Sequence, residues 1–235
     1  MFPIKGPVLA VVAHPDDESL GCGGTLWQAA EAGYEVGCCI LSANAAARTR
    51  RPQDNELEED TIVALKHLGV ERIYSGTFPN IKFNTVPHLE MVQFVESAVR
   101  DLRPDVIITH HPSDLNIDHQ HTAHAALAAA RLPQRDSDAS YVSQVLLMET
   151  LSATDWSYRQ LGPTFVPECF VELGEEGLEA KLQAVRAYRG VMRPYPHPRS
   201  EEAIRAQATL RGAESHLYYA EAFEVAFSRN RVSPR

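Results

Sequence analysis

No apolar stretch in the chain approaches the roughly 18 consecutive residues that a membrane-spanning helix needs. Residues 1–13 lack the basic segment and small-residue cleavage site of a secretory leader, so a soluble, cytoplasmic protein is expected. Cysteine is sparse: Cys22, Cys38, Cys39 and Cys169 make no C-x-x-C pair, and the adjacent two sit in an apolar run. That pattern reads as buried thiols in a reducing compartment rather than a disulfide framework. Positive charge is also short, 22 basic against 31 acidic residues for a net charge of -9. A surface of that sign repels phosphate backbones and argues against nucleic acid as a partner. The one dense basic cluster, Arg48 to Arg51, is too short for a tail and reads as a solvated loop or a local anion contact. The glycine-rich run at 21–24, G-C-G-G, has neither the G-x-G-x-x-G spacing nor a G-K-[ST] ending, which disfavours a phosphate cradle. Its glycines are expected to let a helix approach the sheet. Repeats and low-complexity linkers are lacking too, so residues 1–235 are expected to form one domain.

What the chain does have is an alternation of strand-length apolar runs with helical spacings, the pattern of β-α-β units around a mostly parallel sheet. Strands are expected at Val8–Ala13, Glu35–Ser42, Arg72–Ser75, Val106–His110 and Val142–Glu149. Helices are expected at Leu20–Gly33, Asn55–Gly69, Leu89–Leu102, His119–Arg131, Glu175–Arg189 and Glu201–Arg211. In the second of these Leu57, Ile62, Ala64, Leu65 and Leu68 supply the apolar spacing. The fold class is therefore α/β, a Rossmann-like three-layer arrangement. Residues 151–168 are irregular, and 193–200 form a proline-rich turn.

Open parallel sheets bind ligands beyond the carboxyl ends of their strands. Two predicted strands end in histidine there: the first runs into His14-Pro-Asp-Asp-Glu18, the fourth into His110-His111-Pro-Ser-Asp114 and then Asn116-Ile-Asp-His119. If the two strands are neighbours, imidazoles and carboxylates from distant segments meet at one edge. A zinc hydrolase needs such a set: three N/O ligands, an open fourth position and a base nearby. His14 and Asp17, three apart across a turn stiffened by Pro15, can reach one ion. Asp16, between them, is aimed differently and suits a base. His119 is the favoured third ligand, ahead of His121 and His124 further along the helix. On the residues alone, this reading and the plainer one, a polar turn closing a buried strand, are evenly matched.

Ala13-His-Pro-Asp-Asp-Glu18, followed by Leu20-Gly-Cys-Gly-Gly-Thr-Leu26, resembles the signature of the PIG-L/LmbE-like zinc-dependent N-acetylglucosaminide deacetylases. That family includes the deacetylases of mycothiol and bacillithiol biosynthesis. Pro112 to His119 resembles its second metal motif, and Arg211-Gly212 and Tyr219 to Phe223 are similar to segments of bacterial members. The resemblance implies zinc held by His14, Asp17 and His119, with Asp16 as general base and Glu18 and Asp118 as groups that orient ligands or support the structure rather than bind metal. Iron(II) or cobalt suits the same donors. In many members the second motif reads H-P-D-H; here Asn116 stands at the first histidine, and it can donate a hydrogen bond but not deliver a proton, which leaves Asp16 in both steps or His197 as the acid. Tyr195 and His197, in a turn similar to one that faces zinc in bacterial relatives, are candidate oxyanion donors. The family's substrate-contacting arginine maps to Leu57, so Arg51, with Arg48 and Arg50, is the candidate replacement.

The expected activity is hydrolysis of an N-acetyl or other N-acyl group from a small amino-sugar substrate. Two rivals are a zinc amidohydrolase acting on a non-sugar amide and a non-catalytic sugar- or nucleotide-binding protein on the same fold. Small enzymes of this type often self-associate, so a homo-oligomer is compatible with the sequence. Trp27 is expected in the core, Trp156 in a sugar site or on the surface, and His67 and His88 in solvent.

Overall fold

The computed structural model describes residues 5–44, 54–157 and 162–229. Chain order gives β1 (Val8–Val12), α1 (Asp17–Glu31), β2 (Val36–Ile40), α2 (Asp54–His67), β3 (Arg72–Ser75), α3 (His88–Leu102), β4 (Val106–His110) and α4 (Ile117–Ala129). It continues with β5 (Gln144–Met148), β6 (Cys169–Glu172), α5 (Gly174–Ala187), α6 (Glu201–Ser215) and β7 (Ala220–Ser228). The seven strands form one sheet in the order β3-β2-β1-β4-β5-β7-β6. The first five run parallel, and β7 pairs antiparallel with both β5 and β6.

Successive side chains of a strand point to opposite faces, and β1 is buried on both. Val8, Ala10 and Val12 pack with Leu26 of α1, Leu65 of α2, Leu182 of α5 and Ile204 of α6. Leu9 and Val11 pack with Val95 of α3 and Ala126 of α4. This is the expected three-layer α/β architecture. Because β1 and β4 are adjacent, the two histidine-bearing strand ends lie side by side.

The strands β6 and β7 were not expected from the sequence, and α1 and α4 each begin earlier than their apolar spacing suggests. The expected apolar position Ile62 is 52% exposed, whereas Leu57, Ala64, Leu65 and Leu68 are buried. Five residues of helix turn Ile62 about 140° away from Leu57, off the core face.

At Cys22 α1 leaves helical geometry, with φ -143°. A break of this kind frees backbone groups on both sides. Here the Leu20 carbonyl accepts from Lys181 Nζ at 2.8 Å, and the amides of Gly24 and Thr25 donate to Glu221 at 3.0 and 2.7 Å. Lys181 and Glu221 are themselves paired at 2.6 Å in the interior. The glycines do permit close approach: a Cβ on Gly21 would lie 2.4 Å from Met148 Sδ, and one on Gly24 2.6 Å from Leu173 Cδ2.

Candidate metal centre

β1 gives way to a tight turn at Ala13. The His14 amide donates to Asp17 Oδ2 at 2.9 Å, folding the segment back on itself. Asp16 takes φ 97°, a region that aspartate enters more readily than most non-glycine residues. Its amide donates to Glu18 Oε2 at 3.2 Å, and its carbonyl accepts from the Leu20 amide. Asp17 Oδ2 faces His14 and His119, whereas Asp16 Oδ2 faces Arg199 Nη1 at 3.4 Å. Glu18 holds the turn. Its buried carboxylate accepts from Ser19 Oγ at 2.6 Å and Tyr188 Oη at 2.8 Å, and burial pushes its pKa up to about 7.

Beyond β4 the chain crosses to α4, capped by Asn116, whose Oδ1 accepts from the Asp118 amide at 2.9 Å. Asp118, on the first turn, is fully buried. Its Oδ2 lies 3.0 Å from His14 Nε2 and accepts from the Ile81 amide at 2.6 Å, while Oδ1 accepts from the Phe83 amide at 3.0 Å. With Asp118 at Nε2, the other ring nitrogen of His14, Nδ1, faces Asp17 Oδ2 at 3.4 Å. His119, the next residue, presents Nε2 to the same Asp17 oxygen at 3.2 Å and Nδ1 to Asp114 Oδ2 at 3.1 Å. Asp114 is steadied by Thr154 Oγ1 at 2.8 Å and by the Asn116 amide at 2.8 Å.

His14, Asp17 and His119 thus bring one donor atom each into a single buried cluster. With bonds near 2.0–2.1 Å, the edge of a tetrahedral N/O site is about 3.3 Å, which the separations of 3.2 and 3.4 Å match. Charge agrees with geometry. Burial works against ionising Asp17, but the charge of His119 beside it, with hydrogen bonds from His119 and His14, holds its carboxyl well below its ordinary range. Burial likewise works against protonating His119, yet Asp17 and Asp114 lift its pKa to about 10. Two buried carboxylates about one imidazole call for positive charge, and a divalent ion among these donors meets that demand. Each of the two histidines also has a carboxylate oxygen close to its other nitrogen, Asp118 at 3.0 Å from His14 and Asp114 at 3.1 Å from His119.

His110 is different. It stacks on His119 with ring centroids 3.9 Å apart, and its Nε2 accepts from the Ala13 amide at 3.0 Å. Burial and the neighbouring His119 push its pKa down to about 3, so it is a neutral prop rather than a charge.

Above the donors lies a cavity of about 150 Å³, lined also by Asp16, Asn80, Ile81, Asn116 and Arg199. Ile81, a β-branched residue at φ 57°, is a backbone outlier held by Asp118. The proline-rich turn does reach this cavity, but through Arg199. Tyr195 is 71% exposed and His197 lies on the surface, its Nδ1 accepting from the Arg199 amide at 3.0 Å; neither lines the cavity. Arg51, with Arg48 and Arg50, lies outside the described residues, and Leu57 is buried in the core. Asp114, His110 and Arg199 are the site residues that sequence reasoning missed. His110 and Asp114 both stood in the second histidine-bearing segment, without a role assigned to either; the facing of Arg199 left no local signal.

A mostly parallel α/β sheet with a buried His/Asp/His cluster that could hold a metal ion at its carboxyl edge defines the class of protein. The GlcNAc-PI de-N-acetylase (PIG-L) family matches residues 9–130, more than half of the chain, and the chain belongs to that family. The match spans both ligand-bearing segments. The chain is 27% identical to the uncharacterized deacetylase YaiS of Escherichia coli, over 77% of this chain and 90% of that protein. It is 26% identical to diacetylchitobiose deacetylase of Thermococcus kodakarensis, over 91% and 80% of the two chains. Its fold is similar to that of GalB, a 4-carboxy-2-hydroxymuconate hydratase of Pseudomonas putida, with TM-score 0.76 at 18% identity over 98% and 100% of the chains. The fold thus accommodates more than one chemistry, and function must be argued from the site. Among the described residues no helix is long and apolar enough to cross a membrane.

Proposed function

We propose that the protein is a zinc-dependent hydrolase that removes an N-acetyl group from an amino sugar or amino-sugar conjugate. The observation that carries this reading is the convergence of His14, Asp17 and His119 with Asp16 on one small cavity. Family membership and the diacetylchitobiose deacetylase relative support the acetamido sugar as substrate class. His14, Asp17 and His119 hold the ion. Zinc bound there supplies Lewis acidity and brings the pKa of a coordinated water from 15.7 to about 7; iron(II) or cobalt suits the same donors.

The chain's own groups do the rest. Asp16, fixed by the turn that Glu18 clamps, takes a proton from the attacking water at its carboxylate. Asn116 cannot supply the second proton, and its carboxamide oxygen is committed to the cap of α4. His197 lies on the surface. Asp16 therefore returns the proton to the amine nitrogen as the C–N bond breaks. The cavity, about 150 Å³, suits an acetamido group and the adjoining edge of a sugar ring, and a long acyl chain much less well.

The test is a panel of N-acetyl sugars against N-acetyl amino acids, reading free amine from zinc-reconstituted protein. Amine release from the sugars is expected. Asp16→Ala should keep its metal and lose about a hundred- to ten-thousand-fold in turnover. Undiminished hydrolysis by that variant would overturn the mechanism, and release confined to amino acids would overturn the substrate class.

A further inference from the structure

We infer that Arg199 is a catalytic residue that receives the acyl oxygen as it gains negative charge. The proposal rests on the deacetylase reading of the same cavity. Among the described residues that line the cavity, only this guanidinium carries a permanent positive charge with donors to spare. Its Nε donates to Ser152 Oγ at 2.8 Å, and its Nη1 lies 3.4 Å from Asp16 Oδ2. Nη2 has no partner among the described residues, and the side chain is one quarter exposed, open toward the cavity. Ser152 adopts φ 71°, an uncommon conformation for serine, at the point where its hydroxyl anchors the guanidinium. The arm is thus fixed at Nε and beside the base at Nη1, with its remaining N–H groups left for a ligand.

The chemistry asks for a donor at this place. Water oxygen bonds to the acyl carbon, the C–N bond breaks, and the proton taken by Asp16 passes to the amine nitrogen. Free amine and acetic acid are formed, and the acid leaves as acetate once its remaining proton has passed to solvent. Between bond making and bond breaking the former carbonyl oxygen carries negative charge, and preorganised donors aimed at it lower the barrier. A guanidinium answers that charge without exchanging a proton. It also faces the carboxylate of departing acetate, which it can grip through two N–H groups.

Arg199→Gln and Arg199→Lys are compared with wild type, all loaded with zinc. Turnover of an N-acetylglucosaminide, calorimetric binding of acetate, metal content and thermal melting are measured. For Arg199→Gln, kcat should fall about a hundred- to a thousand-fold. KM for the sugar should move less than about threefold, since the interaction is made chiefly in the transition state. Acetate should bind at least about tenfold more weakly, with metal content and melting unchanged. Arg199→Lys should recover part of the acetate affinity. Were Arg199 only a brace for Asp16, turnover would fall while acetate affinity held. That result, or a kcat within about threefold of wild type, overturns the proposal and leaves the deacetylase reading intact. Wild-type protein that binds acetate through Arg199 but frees amine from no N-acetyl substrate overturns the reading instead. Wild-type protein that binds no acetate overturns the assignment of Arg199.

Discussion

Replacing Asp118 by asparagine probes how the centre is held together. Asp118 carries three contacts on two oxygens: His14 Nε2 and the Ile81 amide at Oδ2, and the Phe83 amide at Oδ1. Asparagine has the same shape but only one accepting oxygen. If its amide nitrogen takes the Oδ2 place, it opposes the Ile81 N–H and the N–H of His14. If it takes the Oδ1 place, the Phe83 N–H loses its acceptor. The second is the milder outcome, and an orphaned buried donor costs about 1–3 kcal/mol. Neutralising the acceptor of the His14 hydrogen bond removes about 1 kcal/mol more, for a total of about 2–4 kcal/mol. His14 keeps an acceptor at Nε2, but a neutral one that no longer raises its basicity, so metal affinity should weaken about ten- to a hundredfold. Chelator competition with zinc or cobalt reads the affinity, and urea unfolding of the metal-free protein reads the stability. An affinity within about threefold of wild type and a stability within about 0.5 kcal/mol would refute the reasoning.

Lys181→Met should destabilise by about 3–5 kcal/mol, because it leaves Glu221 charged and buried; unfolding midpoints in urea check this, and a loss under 1 kcal/mol would contradict the role given to the pair. Tyr188→Phe removes a hydroxyl donor from the buried Glu18 and should cost about 1–3 kcal/mol by the same assay. Chelation should abolish turnover and lower the melting temperature, since an ion at 100 times its Kd contributes about 2.7 kcal/mol to the folded state. Burial pushes the thiols of Cys22, Cys38 and Cys39 up, so a thiol reagent should find these three protected in native protein and all 4 cysteines reactive in denaturant.

Much of the fold was legible because β1, β2 and β4 are short apolar runs, each followed by a helical spacing. β7 was not. Its sequence AEAFEVAFS is rich in alanine and glutamate, good helix formers, and only pairing with β5 and β6 makes it a strand. β6 has only four residues and little pattern to read. The early start of α1 was hidden for a related reason. Asp17 and Glu18 look like loop residues, but they are buried because the site needs them there.

The sequence alone determined the local part of the centre. His14, Asp16 and Asp17 sit in one short turn, where spacing and backbone chirality already divide their directions. Composition likewise settled the negative surface and the scarcity of disulfide-forming pairs. Only the tertiary structure decided which distant groups join them. Pairing of β1 with β4 brings His119 to Asp17, and Asp118 to His14 from 104 positions away. A turn 183 residues from Asp16 delivers Arg199, rather than Tyr195 or His197, to the cavity. The reason is physical. Which face of an irregular turn meets the cavity follows from the packing of α6 and its neighbours, not from any local periodicity. Local chemistry fixed the donors on the turn, and long-range packing chose their partners.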